Sequence, residues 1–98
     1  MSYSIDPEGI ETKVIHELVD FSGADVLEVG CGDGRLTWRY AGKSASVLGL
    51  DPDEEKIRRA NKATPESLRS RVSFMVADVT EYELPSDAYD VVILAHSL

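Results

Sequence analysis

Three glycines alternate with other residues directly after a short apolar run. Gly30, Gly32 and Gly34 follow residues 26–29. Because glycine has no Cβ, the main chain at these positions can approach a ligand closely, and the N–H groups of a following helix can face that ligand. A tight strand-to-helix turn that only needs positive φ angles is the alternative. One glycine would suit such a turn, whereas three in alternation favour a binding loop.

Asp51 is the second residue whose type and spacing indicate chemistry. It lies 21 residues after Gly30, at the end of the next apolar run. A carboxylate about 20 residues beyond the glycines accepts hydrogen bonds from ribose hydroxyls in Rossmann-type sites. The alternative is that Asp51 caps the following helix, a role that Asp53 could also fill. The glycines and the carboxylate together predict a site for a nucleoside.

The charge around the glycine loop indicates the kind of nucleoside. A dinucleotide fingerprint has its glycines in the order G-x-G-x-x-G, whereas this loop is G-x-G-x-G and Arg35 follows its last glycine. Glu28 and Asp33 flank the loop, and their negative potential suits a cationic ligand better than a pyrophosphate. A nicotinamide-dependent oxidoreductase is therefore disfavoured.

The elements that must position these residues alternate between two apolar periods, which predicts an α/β fold. Helical periodicity covers residues 7–21 with Asp6 as N-cap, and a helix of about two turns over residues 35–41 should end at Gly42 with positive φ. A longer helix is predicted from residue 53 to about residue 63. Within the predicted strands, few apolar residues alternate with polar ones. This pattern is typical of a parallel sheet, whose connections are right-handed crossovers. The predicted strands are residues 26–29, 46–50, 72–77 and 89–95.

The most hydrophobic predicted strand, residues 89–95, is followed only by residues 96–98. At a sheet edge such a strand would present unpaired backbone groups and apolar side chains, which soluble proteins usually avoid. We therefore expect residues 24–98 to be a domain that is incomplete after its fourth strand, preceded by a helical segment over residues 1–23. A missing C-terminal half, or a second copy in a homo-oligomer, would cover that strand.

Composition limits the classes of partner. The 98 residues carry 10 Lys and Arg against 18 Asp and Glu, and this net charge of −8 disfavours nucleic-acid backbones and anionic lipid surfaces. No apolar run approaches the roughly 20 residues that cross a bilayer, and the N-terminus lacks a signal-peptide pattern. The single Cys31 cannot form an intramolecular disulfide, and no Cys/His cluster has metal-ligand spacing. We expect a cytoplasmic protein without a metal site.

Four ordered segments resemble the class I S-adenosylmethionine-dependent methyltransferases. Residues 26–34 are similar to the first motif of that family, residues 50–52 to its ribose-binding acidic position, residues 76–79 to its adenine-binding segment and residues 89–93 to its fourth motif. The resemblance covers residues 24–98. It implies a Rossmann-like three-layer sandwich with a mainly parallel sheet, whose four predicted strands lie in the order 3-2-1-4.

The resemblance also implies site residues for S-adenosylmethionine. Glu28 would orient the ammonium group of the methionine portion, directly or through water, and the three glycines would pass close to that portion. Together with Glu28, the predicted contacts of the methionine portion are these loop and strand-end residues: Gly30, Cys31, Gly32, Gly34 and Ala95. At the nucleoside end, Asp51 would hold the ribose and Pro52 would lie against the adenine.

Two further positions are implied for the adenine. Asp78 would accept from the adenine amino group, and the Val79 backbone would address the ring. Asp78 has an alternative role as a loop-start carboxylate that bonds nearby amides. The sequence leaves these two roles open.

The activity implied is transfer of a methyl group to a small-molecule acceptor, with S-adenosylhomocysteine as product. Such transfer depends mainly on holding the nucleophile and the methyl group in line. His96 follows the fourth strand and is a candidate general base, because imidazole can take a proton near neutral pH; a histidine that lines the pocket or faces water is the alternative. A non-catalytic S-adenosylmethionine-binding module or partner subunit is the second hypothesis, and an NAD-dependent oxidoreductase the third.

Overall fold

The computed structural model describes residues 2–5, 15–17, 19–78 and 88–95. Its main element is a parallel sheet. Within these residues the sheet has five strands in the spatial order β1-β5-β2-β3-β4, and each neighbouring pair is parallel. The strands are β1 (Ser2–Ile5), β2 (Asp25–Val29), β3 (Ser46–Asp51), β4 (Val72–Val76) and β5 (Val91–Ala95).

The four strands predicted from apolar runs are confirmed. Counted among themselves they lie in the order 3-2-1-4, as the resemblance implies, which makes β2 central. In β2, Val26 lies opposite Val47 of β3 and Val91 of β5. Val26 and its neighbour Leu27 point to opposite faces, and both are buried. A strand covered on both faces explains the near-continuous apolar run.

No sequence pattern predicts β1, and this strand changes the surroundings of β5. Ser2 lies opposite Val92 and Ile5 opposite Ala95, so β1 extends the sheet beyond β5. The expectation that the last strand has an uncovered edge is therefore wrong for the described residues. Four residues are too few for an apolar period to stand out, and their partners lie 90 residues further along the chain. The division of the chain at residue 24 stays a prediction.

The connection from β2 to β3 is not the predicted α-helix. Two short 3-10 turns, Thr37–Arg39 and Ala41–Lys43, stand in its place. Gly42 lies inside the second turn and is not among the positive-φ glycines, so its predicted role as a helix end is wrong. In a 3-10 turn, side chains three residues apart lie on the same side. The turns therefore direct Thr37 and Tyr40 together toward β2.

The predicted helix after β3 is confirmed as α1 (Glu54–Ala63). Its N-cap is Asp53, whose side chain accepts from the amides of Glu55 and Lys56. Ile57 and Ala60 form the buried stripe that packs against the sheet. None of the described helices is long and apolar enough to cross a membrane.

The N-terminal helix is described only in part. Residues 15–17 are helical, and the amide of Val19 donates to the carbonyl oxygen of Ile15 at 3.0 Å. Residues 7–14 and 18, together with the predicted cap Asp6, lie outside the described residues. Ile15, Val19 and Phe21 are buried and belong to the main apolar cluster. This cluster includes Val26, Val47, Val72 and Ile93, which lie on one face of the sheet.

Deletion of residues 1–5 should uncover the edge of β5. Its backbone groups would lose their β1 partners, so we expect faster amide hydrogen exchange over Val91–Ala95 and association that rises with concentration. Exchange mass spectrometry on the full chain and the deletion variant checks this, with β3, which β1 does not pair with, as internal reference. Equal exchange of β5 in both proteins would contradict the pairing.

Candidate cofactor site

The glycine loop turns over the C-terminal ends of β2 and β3. All three glycines have positive φ, 83° at Gly30, 58° at Gly32 and 93° at Gly34. The amides of Gly30 and Cys31 both donate to the carbonyl oxygen of Leu50, at 2.7 and 3.1 Å. The tight turn considered as an alternative use of these glycines is therefore present in the structure.

Two of the glycines also occupy places where a side chain would collide. A Cβ at Gly30 would lie 2.4 Å from the carbonyl oxygen of Ala95, and one at Gly34 would lie 2.8 Å from the Trp38 ring. A Cβ at Gly32 would meet only the Lys56 side chain, at 3.9 Å. Close approach between the end of β2 and the end of β5 thus requires glycine at position 30.

Four amides of the glycine loop already have acceptors within the protein. In addition to Gly30 and Cys31, the amide of Gly32 donates to Asp51 Oδ2 at 2.9 Å and that of Gly34 to the Cys31 carbonyl oxygen at 3.1 Å. The N–H groups at these four positions are therefore engaged within the protein and do not face a ligand as free donors. The donors expected at the start of the following helix belong to residues 35–37, where 3-10 turns replace the predicted α-helix.

Asp51 fastens the glycine loop to the start of α1. It is nearly buried, its Oδ2 accepts from the Gly32 amide, and its Oδ1 accepts from the Asp53 amide at 2.8 Å. Asp53 caps α1, so the cap alternative does not account for Asp51. An ionised carboxylate has about four acceptor positions. Each oxygen of Asp51 therefore keeps the capacity to accept a further hydrogen bond.

Glu28 places a carboxyl group in the interior at the end of β2. Its side chain is fully buried, and Oε1 accepts from Thr37 Oγ1 at 2.9 Å and from the Tyr40 hydroxyl at 2.5 Å. Among the described residues Oε2 has no hydrogen-bond partner. Burial raises the pKa of Glu28 to about 7, and the two hydroxyl hydrogen bonds oppose this rise. Near neutral pH this carboxyl is divided between its charged and neutral forms.

A cleft with a cavity volume of about 80 Å³ opens beside Glu28, the glycine loop and the end of β5. Five of the predicted cofactor contacts line it: Glu28, Gly30, Cys31, Gly32 and Ala95. The structure therefore brings the predicted contacts of the methionine end to one place. Gly34 belongs to the same loop but not to this lining, since it faces Trp38.

The predicted nucleoside contacts lie along the ends of β3 and β4, outside the lining of this cleft. Asp51 ends β3, the following Pro52 is exposed, and Asp78 is exposed just after β4. The amide of Ala77 donates to the Asp51 carbonyl oxygen at 3.0 Å, which joins the two strand ends. Two predicted site residues lie outside the described residues: Val79 and His96.

Four residues outside the predicted set of cofactor contacts also line the cleft, of which Asp33 was considered only for its charge: Asp33, Arg35, Leu36 and Lys56. Arg35 is paired with Asp33, at 3.8 Å between Nε and Oδ1. Lys56 lies in the first turn of α1, which starts just after Asp51 and so faces the glycine loop. The short separation of Lys56 from Asp51 along the sequence is the signal that could have identified it. The cleft thus joins a buried carboxyl to two cationic side chains.

Cys31 lines the cleft as a neutral thiol. It is buried, and burial followed by the negative charges of Glu28 and Asp51 raises its pKa far above the usual range. Although the residue follows a positive-φ glycine at a strand end, it lacks the electropositive surroundings of a reactive cysteine. Cys31 contributes packing and surface to the cleft.

Comparison with known proteins gives a family for this chain. A family model described as a methyltransferase domain matches residues 26–98. Magnesium-protoporphyrin O-methyltransferase of Rhodobacter capsulatus is 34% identical over 79 residues, which cover 81% of this chain and 34% of that protein. The rRNA N(6)-adenosine-methyltransferase metl-5 of Caenorhabditis elegans is 33% identical over 88 residues, covering 84% and 41%. The chain thus spans well under half the length of these relatives.

A solved structure shares the fold. The RNA methyltransferase of Salinibacter ruber, crystallised in complex with S-adenosyl-L-homocysteine, superposes with a TM-score of 0.70 at 27% sequence identity. The superposition covers 85% of this chain and 55% of that protein. The fold found here is therefore shared with a relative whose structure holds S-adenosyl-L-homocysteine.

Alanine at three glycines should separate backbone strain from collision. Gly30→Ala adds the Ala95 collision to a positive φ, Gly23→Ala has φ of 66° with open space, and Gly42→Ala has neither. We expect losses in free energy of unfolding of more than about 3 kcal/mol, about 1 kcal/mol and near zero, in that order. Urea denaturation measures them. Equal losses for Gly30→Ala and Gly23→Ala would contradict the close approach of Gly30 to β5.

Proposed function

The chain belongs to the methyltransferase domain family of class I S-adenosylmethionine-dependent enzymes, and from this premise we propose that it binds S-adenosylmethionine in the cleft beside Glu28 and methylates a small molecule. The observation that carries the proposal is Glu28 Oε2, a buried carboxyl oxygen without a partner among the described residues, at a cleft bordered by positive-φ glycines. S-adenosylhomocysteine is the product.

The cleft residues fit the methionine end of this cofactor. A buried carboxyl oxygen is costly unless a donor reaches it, and an α-ammonium group carries three N–H donors and a matching charge. Gly30 and Gly32 keep the loop free of side chains on the approach to Glu28. Arg35 and Lys56 line the same cleft and suit the carboxylate of an amino acid. The donor set therefore matches a zwitterion.

The nucleoside end of the proposed site follows the strand ends. Asp51 retains acceptor capacity for the ribose hydroxyls, while its bonds to Gly32 and Asp53 keep its carboxylate in place. Pro52 and Asp78 lie at the neighbouring ends of β3 and β4 and are proposed to contact the adenine, as is the backbone of Val79. Ribose and adenine would thus extend from the cleft along the C-terminal ends of β3 and β4.

The chemistry of the proposed reaction needs little acid or base from the protein. When bound, S-adenosylmethionine supplies a methyl group on a positively charged sulfur, which is a good leaving group. The part of this chain is to hold its ligand in one position, with Glu28 and the glycine loop at one end and Asp51 at the other, so that an acceptor meets the methyl group in line. A base such as His96 is required only by an acceptor that keeps its proton.

A small-molecule acceptor agrees with the charge of the chain. The net charge of −8 opposes the phosphates of RNA, on which one relative acts by name, and leaves small acceptors, as named for another relative. The proposal also includes a cytoplasmic location, because the free thiol of Cys31 suits a reducing compartment.

Titration calorimetry and a transfer assay test this function. S-adenosylhomocysteine should give binding heat and NAD none, since the loop lacks the dinucleotide spacing. Label from methyl-labelled S-adenosylmethionine should then appear on a member of a small-molecule panel and not on RNA. Label on RNA would contradict the acceptor class, binding without transfer would favour a non-catalytic module, and no heat with S-adenosylhomocysteine would contradict the cofactor.

Asp51→Asn should weaken binding of S-adenosylhomocysteine by about 1–3 kcal/mol, because asparagine keeps one acceptor oxygen but loses the charge that strengthens hydrogen bonds to ribose. Asp53→Asn is the matched control. Asparagine caps helices as well as aspartate does, so α1 should persist and affinity should stay unchanged. Calorimetry on both variants measures the difference, and equal affinities would exclude the ribose role of Asp51.

A further inference from the structure

The two oxygens of the Glu28 carboxyl have different surroundings. Oε1 accepts two hydroxyl hydrogen bonds, from Thr37 and Tyr40, while Oε2 has none among the described residues. Each hydroxyl could have donated to a different oxygen, yet both donate to Oε1. The side chain that lines the cleft therefore has one satisfied oxygen and one oxygen in need of a donor.

The two hydroxyls are held in place by the fold. Thr37 is fully buried and Tyr40 is 1% exposed, so neither hydroxyl has water as a substitute partner. The Tyr40 ring stacks on Phe21, with ring centroids 4.4 Å apart and planes 13° apart. The 3-10 spacing puts Thr37 and Tyr40 on one side of their segment. A partial rotation of the carboxyl would lengthen both hydrogen bonds unless the hydroxyls moved as well, whereas a half-turn only exchanges two equivalent oxygens.

We propose that Thr37 and Tyr40 are positioning residues that reserve Glu28 Oε2 for the ammonium group of the cofactor, so that binding of this group expels a proton from Glu28. The proposal rests on the proposed function, since it needs a ligand with an ammonium group. In the step, the neutral carboxyl loses its O–H proton to the buffer, and the resulting carboxylate accepts an N–H hydrogen bond from the cation. No covalent bond to the ligand changes.

Burial determines the direction of this linkage, because it is the largest cause acting on the pKa of Glu28 and it raises that pKa. The titratable and charged groups near Glu28 come from four elements: Tyr40 of the 3-10 segment, Cys31, Asp33 and Arg35 of the glycine loop, Asp51 of β3 and Lys56 of α1. The pKa values of Tyr40 and Cys31 are raised, by burial first and then by the charge of Glu28, so both keep their protons and Tyr40 remains a donor.

Affinity should therefore depend on pH in a defined direction. The pKa of Glu28 in the free protein is about 7 because of burial, and an ammonium group beside it lowers that pKa. Below pH 7 the ligand must displace a proton, so its affinity falls as the pH falls. Above pH 7 the carboxylate is already present and affinity levels off.

Calorimetry in paired buffers of different ionisation enthalpy counts the protons exchanged on binding. With S-adenosylhomocysteine we expect the chain to release protons on binding near neutral pH, and to release more at pH 6 than at pH 8. 5′-Methylthioadenosine, which lacks the amino-acid portion, should bind without releasing a proton. This comparison needs no substitution and therefore does not depend on whether a variant folds.

Variants assign the effect to the named residues. Glu28→Gln should release no proton. Thr37→Val should shift proton release to higher pH, because loss of a hydrogen bond to the carboxylate raises the pKa of Glu28, and Thr37→Ser should restore the original profile. Tyr40→Phe should shift it in the same direction as Thr37→Val. A purely structural role of these hydroxyls would lower stability and leave the proton count unchanged.

The outcomes separate this inference from the proposed function. Binding of S-adenosylhomocysteine with no proton release between pH 6 and pH 8 overturns the inference and leaves the cofactor assignment standing. Proton release that persists in Glu28→Gln also overturns it. Absence of any S-adenosylhomocysteine binding overturns both. Release that disappears in Glu28→Gln and shifts in Thr37→Val supports it.

Discussion

Burial of the Glu28 carboxyl between β2 and the 3-10 segment is the interaction on which the surrounding structure depends, because a carboxyl without partners in an apolar interior costs several kcal/mol. Thr37 and Tyr40 supply the partners of one oxygen, and Phe21 stacks against Tyr40. An α-helix over the same residues would separate positions 37 and 40 by 300° rather than a full turn, since it advances about 100° per residue. The tighter 3-10 turns allow the hydroxyls of Thr37 and Tyr40 to donate to the same oxygen of Glu28.

The candidate site and the fold share the same atoms. Gly30 lets the end of β2 approach β5, and the same absence of a Cβ keeps the cleft open. The Asp51 carboxylate holds the Gly32 amide and the start of α1, and the same residue ends β3 beside the end of β4, where a nucleoside is proposed. The turn and anchoring roles of these residues therefore do not exclude the ligand role proposed for them.

Local charge and total charge point to different aspects of function. The chain is acidic overall, yet its cleft contains Arg35 and Lys56 beside the buried Glu28. A zwitterionic amino-acid group matches this short-range arrangement, because opposite charges interact most strongly at close range and out of water. The net charge acts over longer distances and bears on the acceptor, since it repels polyanions.

The sequence by itself determined the features that depend on neighbours along the chain. Apolar runs gave the four longer strands, Asp53 and the first-turn acids gave α1, and the spacing from Gly30 to Asp51 gave the type of site, because each is a local period, cap or turn. Only the tertiary structure decided that β1 pairs with β5, that the residues after Gly34 form 3-10 turns, that Lys56 joins the cleft and that one Glu28 oxygen has no partner within the described part of the chain. These features arise where segments distant in sequence meet and exclude water, and no local pattern records that meeting.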